Sequence, residues 1–190
     1  VKKLTKRRIK RIEEVVAKRQ PDLLVALNAI KNPHNASAIA RTADAVGIYQ
    51  LYTDNAMLFK ASTSKGAHRW LIINYVQDMP SFLKQKRREG FQVVVTYVHG
   101  GVPYTEIDYT KPTVLVMGNE AEGVEEEVLE VADKRIWIPM YGMVESLNVS
   151  VATAVILYEA LKQRQTAGFY NKIRLEDSER RRLIEYYTGK

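Results

Sequence analysis

Apolar residues fall along this chain in two rhythms: one every three or four residues, the other in short unbroken runs. Between residues 3 and 19, Ile9, Ile12, Val15 and Val16 recur at helical spacing, which predicts an amphipathic helix with one apolar stripe and a wide basic face. From residue 23 the rhythm changes. LLVALNAI (23–30), YQLYTD (49–54), LIINYV (71–76), FQVVVTYV (91–98), TVLVMGN (113–119) and RIWIPM (135–140) have the length and apolar character of buried strands. Helical patterns lie between several of them, at 36–46, 80–89 and 122–132, followed by a long helix at 147–166 and an exposed, basic one at 176–187. Buried runs alternating with helices predict an α/β fold, a mainly parallel sheet with flanking helices. The length fits a single domain, with a core at 21–166, a basic N-terminal helix at 1–20 and a basic C-terminal extension at 167–190.

Composition narrows the setting. A hydrophobic fraction of 46% with 27% charged residues is that of a soluble globular protein. The basic start lacks the continuous apolar stretch of a secretory signal, and no run suggests a membrane segment, so the expected location is cytoplasmic. Zero cysteines exclude disulfides and thiolate chemistry, and three irregularly spaced histidines argue against a metal site. The net charge of +7 is unevenly placed: residues 1 to 20 hold nine Lys/Arg against Glu13 and Glu14, and residues 162 to 190 hold eight against four acidic groups. A faintly acidic centre between two basic arms is the pattern of a body with electrostatic handles for a polyanion such as RNA or DNA.

In parallel sheets, ligands bind beyond the carboxyl ends of the strands. Neither the dinucleotide fingerprint G-x-G-x-x-G nor the P-loop pattern follows a predicted strand, which disfavours a nicotinamide oxidoreductase and the common Rossmann methyltransferases. Three other segments are rich in chemistry. NPHNASAIARTADAVG (32–47) places Asn35 or Ser37 where a helix cap belongs and sets Arg41 among alanines, with Asp44 at i+3 as an ordinary ion-pair partner. MGNEAEGV (117–124) ends a strand with Gly118, Asn119 and Glu120, and Gly123 follows. IPMYGMVESLNVSVA (138–152) feeds a long apolar helix through Ser146, Leu147 and Asn148.

Together N-x-x-x-x-x-R (Asn35, Arg41), G-N-E-x-x-G (Gly118 to Gly123) and I-P-M with S-L-N-V-S-V-A (Ile138 to Ala152) resemble, in order and spacing, the three signature motifs of the SpoU-type RNA 2′-O-ribose methyltransferases of the SPOUT superfamily. The resemblance spans about residues 22 to 165 and includes TSKGAHRW (63–70). The basic arms, RQPDL (19–23) and DYTKPT (108–113) look like the TrmH-type branch, which methylates guanosine 18 in the D-loop of tRNA. Membership implies a C-terminal deep trefoil knot, S-adenosylmethionine bound in that knot, a homodimer, and tRNA as partner. The implied donor contacts are Thr96, Tyr97, Gly118, Asn119, Glu120, Ile138, Met140, Ser146, Leu147 and Asn148. The implied catalytic set is Arg41, Asn35, Glu120, Ser146 and Asn148, with Arg41 either taking the proton of the ribose hydroxyl or gripping a phosphate and stabilising alkoxide charge. Lys6, Arg7, Arg8, Arg11 and Arg19 at one end, and Arg164, Arg174, Arg180, Arg181 and Arg182 at the other, are expected to hold tRNA phosphates. Ribosomal RNA methylation, or RNA binding without turnover, are the alternative readings.

Overall fold

A strand whose every side chain is buried needs cover on both faces, and Leu23–Leu27 and Thr113–Met117 are two such strands. The computed structural model describes residues 4–59, 67–119 and 122–189. Along them run α1 (Lys6–Val16), β1 (Leu23–Leu27), α2 (Pro33–Ala45), β2 (Gln50–Thr53), β3 (Ile72–Tyr75), α3 (Met79–Arg88) and β4 (Gln92–Thr96). They continue as β5 (Val102–Pro103), β6 (Thr113–Met117), α4 (Glu126–Val131), β7 (Lys134–Trp137), α5 (Val149–Thr166) and α6 (Asp177–Thr188). The strands form one sheet in the order β3-β2-β1-β6-β4-β7-β5, with every pairing parallel. This is the expected α/β architecture, with β5 added: two residues at a sheet edge carry too little periodicity to be read from sequence.

Alternation along the strands divides the core. Leu23, Val25, Leu27, Leu115 and Met117 pack with Ile39, Ala40 and Ala43 of α2 and Ile156, Leu157 and Ala160 of α5. On the other face Leu24, Ala26, Val93, Val95, Val114 and Val116 meet Met79 and Leu83 of α3 and Val128 and Leu129 of α4. Although β4 and β5 are neighbours in sequence, β7 lies between them in the sheet. The link between them passes so close over β7 that a Cβ on Gly101 would stand 2.1 Å from the Arg135 carbonyl oxygen, so only glycine fits there.

The termini are less exposed than their charge predicts. Ile12 and Val16 of α1 share a third apolar cluster with Leu183 and Tyr187 of α6, so α6 is a packed helix and the two basic arms form one unit. The capping residue of α2 is Asn32, whose side chain accepts from the His34 N–H at 2.9 Å, rather than Asn35 or Ser37. Pro33 follows it in the first turn, where no hydrogen bond is lost.

Two buried arginines fasten the arms. Arg19, 1% exposed, donates to the Asp44 carboxylate at 2.6 Å, the Ile48 carbonyl at 3.0 Å and the Tyr187 hydroxyl at 2.7 Å. Arg164, fully buried, donates to Asp22 at 2.6 Å, the Tyr109 carbonyl at 2.8 Å and the Gln20 side chain at 3.2 Å. Arg174 grips both oxygens of the same Asp22 at 2.7 and 2.8 Å and lies 4.0 Å over the Phe169 ring. The assignment of Arg19, Arg164 and Arg174 to tRNA phosphates is therefore corrected: internal acceptors occupy these guanidinium groups, and the first two have no surface to offer a phosphate.

Removing one member of such a buried cluster strands the other charges. Arg164→Met is expected to cost about 3 kcal/mol and to lower the melting temperature by roughly 10 °C, read by circular dichroism; an unchanged transition would show that the cluster contributes no net stability. Burial pushes the Asp22 carboxyl up, but hydrogen bonds and charge from Arg174 and Arg164 outweigh it and hold the group below the usual carboxylate value. Such a depressed carboxyl stabilises the fold above its unfolded value of about 3.9, and the contribution disappears as pH falls through the lower folded value. The stability gap between wild type and Asp22→Asn is thus expected to be full near neutral pH and to narrow below about pH 4.

Candidate functional site

Because all seven strands are parallel, the segments leaving β1, β6, β4 and β7 emerge from the same edge of the sheet. Leu27 pairs with Met117, Val95 with Val116, and Thr96 with Ile136. This register sets Asn28, Gly118, Tyr97 and the chain beyond Trp137 side by side. Thr96 donates its hydroxyl to the Val116 carbonyl at 3.3 Å, and the Tyr97 N–H donates to the Ile136 carbonyl at 2.8 Å. The Tyr97 ring lies under the Arg135 guanidinium at 5.4 Å and meets the His99 ring edge-on at 5.6 Å.

The turn after β6 explains its glycines. Asn119 and Gly123 exchange main-chain hydrogen bonds at 2.8 Å in each direction, folding the segment back on itself. Gly118 lies so near the returning chain that a Cβ would stand 2.4 Å from the Gly123 carbonyl carbon, and Gly123 has φ +73°. Both need glycine. The Asn119 side chain donates to the Ala29 carbonyl at 3.2 Å, joining this turn to the segment after β1. Glu120 lies outside the described residues, as do residues 63 to 66 of TSKGAHRW.

Helices α2 and α5 meet at their N-termini. Asn148 caps α5: its side-chain oxygen accepts from the Ser150 N–H at 2.9 Å and from the Ser150 hydroxyl at 2.5 Å. Its amide nitrogen then donates to the Asn35 side-chain oxygen at 3.1 Å. Two asparagines 113 positions apart thus become a direct contact. Arg41 is exposed on α2, further along the same helix. The ordinary pairing with Asp44 is not what the fold uses, since the Asp44 carboxylate is held by Arg19. Ser146 is exposed; Leu147, Ile138 and Met140 are half-buried. Residues 139 to 147 belong to no helix or strand, so their main-chain N–H and C=O groups are not spent in a ladder and can serve a ligand.

Lys6, Arg7, Arg8 and Arg11 are exposed on α1, with Arg8 4.7 Å over the Trp70 ring and Arg11 3.7 Å from Glu14. Arg181 and Arg182 are exposed on α6, while Arg180 is half-buried. Because α1 packs on α6, the exposed cations of both arms are carried by one packed helix pair. A groove of about 620 Å³ beside Lys84, Arg87, Arg88 and Phe91 lies at the opposite edge of the sheet, where β4 begins. Its cations occupy or adjoin the last turn of α3, where they offset the negative end of the helix dipole.

One polar cluster lies outside the three motifs. Asn28 is wholly buried, and its side-chain nitrogen donates to Asp54 and to Glu125, both at 2.8 Å. The only signal in the sequence is a polar residue closing an apolar run. No group of three metal-ligating side chains occurs among the described residues, and none of their helices is long and apolar enough to cross a membrane.

Comparison with known proteins agrees with this geometry. Residues 22–158 match the SpoU rRNA methylase family. The tRNA (guanosine(18)-2′-O)-methyltransferase of Aquifex aeolicus is 47% identical over 187 residues, covering 96% of this chain and 89% of its own. The crystal structure of an A. aeolicus TrmH/SpoU tRNA-modifying enzyme superposes with a TM-score of 0.90 at 46% identity, over 96% of this chain and 95% of that one. An AdoMet-bound rRNA methyltransferase from Sinorhizobium meliloti gives 0.66 at 33% identity, covering 81% of this chain and 60% of its own. By sequence along most of its length and by the fold that brings its three motifs to one edge of a parallel sheet, the chain belongs to the SpoU rRNA methylase family.

Proposed function

We infer that this protein is a tRNA (guanosine-18-2′-O)-methyltransferase, which transfers a methyl group from S-adenosylmethionine to the ribose 2′-hydroxyl of guanosine 18 in the D-loop. What carries the reading is similarity to such an enzyme through both basic arms as well as the core. The similarity to the S. meliloti rRNA enzyme covers a smaller part of either chain, which favours tRNA over ribosomal RNA. The setting is cytoplasmic.

The residues at the strand ends suit the methyl donor. Half-buried Ile138, Met140 and Leu147 offer apolar walls, Gly118 lets the turn after β6 fold back tightly on itself, and main-chain groups of 139 to 147 supply donors and acceptors. Thr96, Tyr97, Asn119 and Ser146 complete the ring of contacts. The chain between β7 and α5 passes through the loop joining β4 and β5 to form the trefoil knot. This reading is supported by β7 standing between those strands and by α5 returning across the sheet to α2.

When bound, S-adenosylmethionine supplies a methyl group already activated on a sulfonium, so the protein has to align the ribose and stabilise charge on its oxygen. The Asn35–Asn148 contact fixes α2 against the donor segment, which sets the reach of Arg41. Arg41 holds the neighbouring phosphate and stabilises the developing alkoxide, and the proton displaced from the 2′-hydroxyl passes to solvent water. A guanidinium, a planar fork of N–H donors with no acceptor, performs this role better than that of a base. A second copy of the chain covers Tyr141, Met143, Val144, Val151 and Tyr158, all exposed apolar side chains in the segment before α5 or along it.

Incubation with labelled S-adenosylmethionine and bulk tRNA is expected to label nucleotide 18; absence of label in any tRNA overturns the assignment. Arg41→Ala should lower kcat by about 100-fold or more while donor affinity stays near wild type, and an equal loss of both would assign Arg41 to donor binding. Affinity for tRNA should fall steeply with salt, and replacing Arg7, Arg8 and Arg11 together by Gln should reduce the slope of log K against log[salt] by about two to three. An unchanged slope would place the RNA elsewhere. Sedimentation should give twice the 21.7 kDa chain mass, reduced to the monomer value by Val151→Asp with Tyr158→Asp; a wild-type monomer refutes the dimer.

A further inference from the structure

Two unfavourable features coincide just beyond β1. Asn28 is buried with a single amide nitrogen shared between the carboxylates of Asp54 and Glu125, each 2.8 Å away, which draws two like charges together. Ala29, the next residue, has φ +57° and is the only non-glycine residue with positive φ among the described residues. Either feature costs stability, and an apolar side chain would fill the space behind the strand more cheaply. Such local costs persist where the surroundings over-determine the geometry, and they gather at functional sites.

The surroundings here are specific. The Asn28 side-chain oxygen accepts from the Glu125 N–H at 2.9 Å, so every polar atom of its amide is engaged. Asp54 also accepts from the Ala29 N–H at 2.8 Å, and the Ala29 carbonyl accepts from the Asn119 side chain at 3.2 Å. The Asn28 N–H donates to the Met117 carbonyl at 2.9 Å. These bonds tie the ends of β1 and β2 to both ends of the turn that bears Gly118 and Asn119. The segment after Ala29 leads through the Asn32 cap directly to Asn35 and Arg41.

We propose that Asn28 is a positioning residue for methyl transfer, a clasp through Asp54 and Glu125 that holds the Gly118–Asn119 donor turn in register with the helix carrying Asn35 and Arg41. This rests on the functional reading above. Asn28 touches neither reactant and acts through the turn. The charged groups facing position 28 are Asp54 after β2 and Glu125 at the start of α4, while the Lys31–Glu122 pair, 3.4 Å apart, joins the segment after β1 to the turn after β6.

The test compares donor affinity by calorimetry, tRNA affinity by filter binding at fixed salt, and turnover in the full-length protein. Wild type must bind S-adenosylmethionine; if it does not, the functional reading itself fails, separately from the clasp. Asn28→Ala is expected to weaken donor binding by about tenfold and lower kcat, with tRNA affinity changed less than about twofold. Asn28→Asp puts a third carboxylate against the other two. Its donor defect should be larger at pH 8 and shrink toward pH 6, as proton uptake supplies an O–H donor, whereas the alanine variant shows no such recovery. Glu125 is exposed, so its variants probe the clasp without emptying the core: Glu125→Leu should repeat the donor defect, and Glu125→Gln, which keeps an oxygen acceptor, should stay within about threefold of wild type. Donor affinity and kcat within twofold of wild type in both Asn28→Ala and Glu125→Leu overturn the proposal. So does loss of donor and tRNA binding in equal proportion, which would mark Asn28 as merely structural.

Discussion

The pairing of β1 with β6 is the constraint on which the rest of the molecule depends. Five residues of each strand run in parallel register, Leu23 to Leu27 against Thr113 to Met117, and all ten are buried. Burial on both faces requires α2 and α5 on one side and α3 and α4 on the other. Parallel direction sends the chain out of both strands at the same edge. That is why Asn28 and Gly118, far apart in sequence, stand together, and why a turn that needs glycine at 118 and 123 can be held by a side chain from the neighbouring strand.

Cations have been divided between two tasks. Arg19, Arg164 and Arg174 lie in the middle of hydrogen-bond networks that fasten the terminal arms to the core, Arg19 paired with Asp44 and the other two sharing Asp22. Lys6, Arg7, Arg8, Arg11, Arg181 and Arg182 are left on the surface. The buried arginines make α1 and α6 a fixed platform, so the exposed cations are presented in a set arrangement and not on loose tails. A polyanion meeting such a surface loses less conformational entropy on binding than one that must order two flexible arms.

Asparagine does comparable work near the strand ends. Asn32 caps α2, Asn148 caps α5 and reaches Asn35, Asn119 closes onto Ala29, and Asn28 joins two carboxylates. A short amide both donates and accepts from one rigid group, so it can terminate a helix and hold a neighbouring loop at the same time. The proposed methyl-donor site lies among these contacts, where the backbone is fixed from several directions.

The sequence alone determined the fold class, because continuous apolar runs of strand length separated by helical patterns leave few arrangements other than a parallel sheet covered on both faces. It also carried the three motifs, since their glycines and asparagines answer to local backbone demands that act over a few residues. The two-residue β5 and the boundary near residue 138 were not legible, being settled by neighbouring strands more than by local propensity, whereas the Asn32 cap is local, an Asn followed by Pro33 in the first helical turn. Nor was the fate of each arginine. Arg11 and Arg19 look alike in a basic segment, yet one faces solvent and the other is 1% exposed, because only the tertiary packing sets the Arg19 guanidinium beside Asp44 of α2 and Tyr187 of α6. Tertiary structure likewise made Asn28 a junction. A polar residue after an apolar run says nothing of its partners until parallel register brings Asp54 and Glu125 within hydrogen-bond reach.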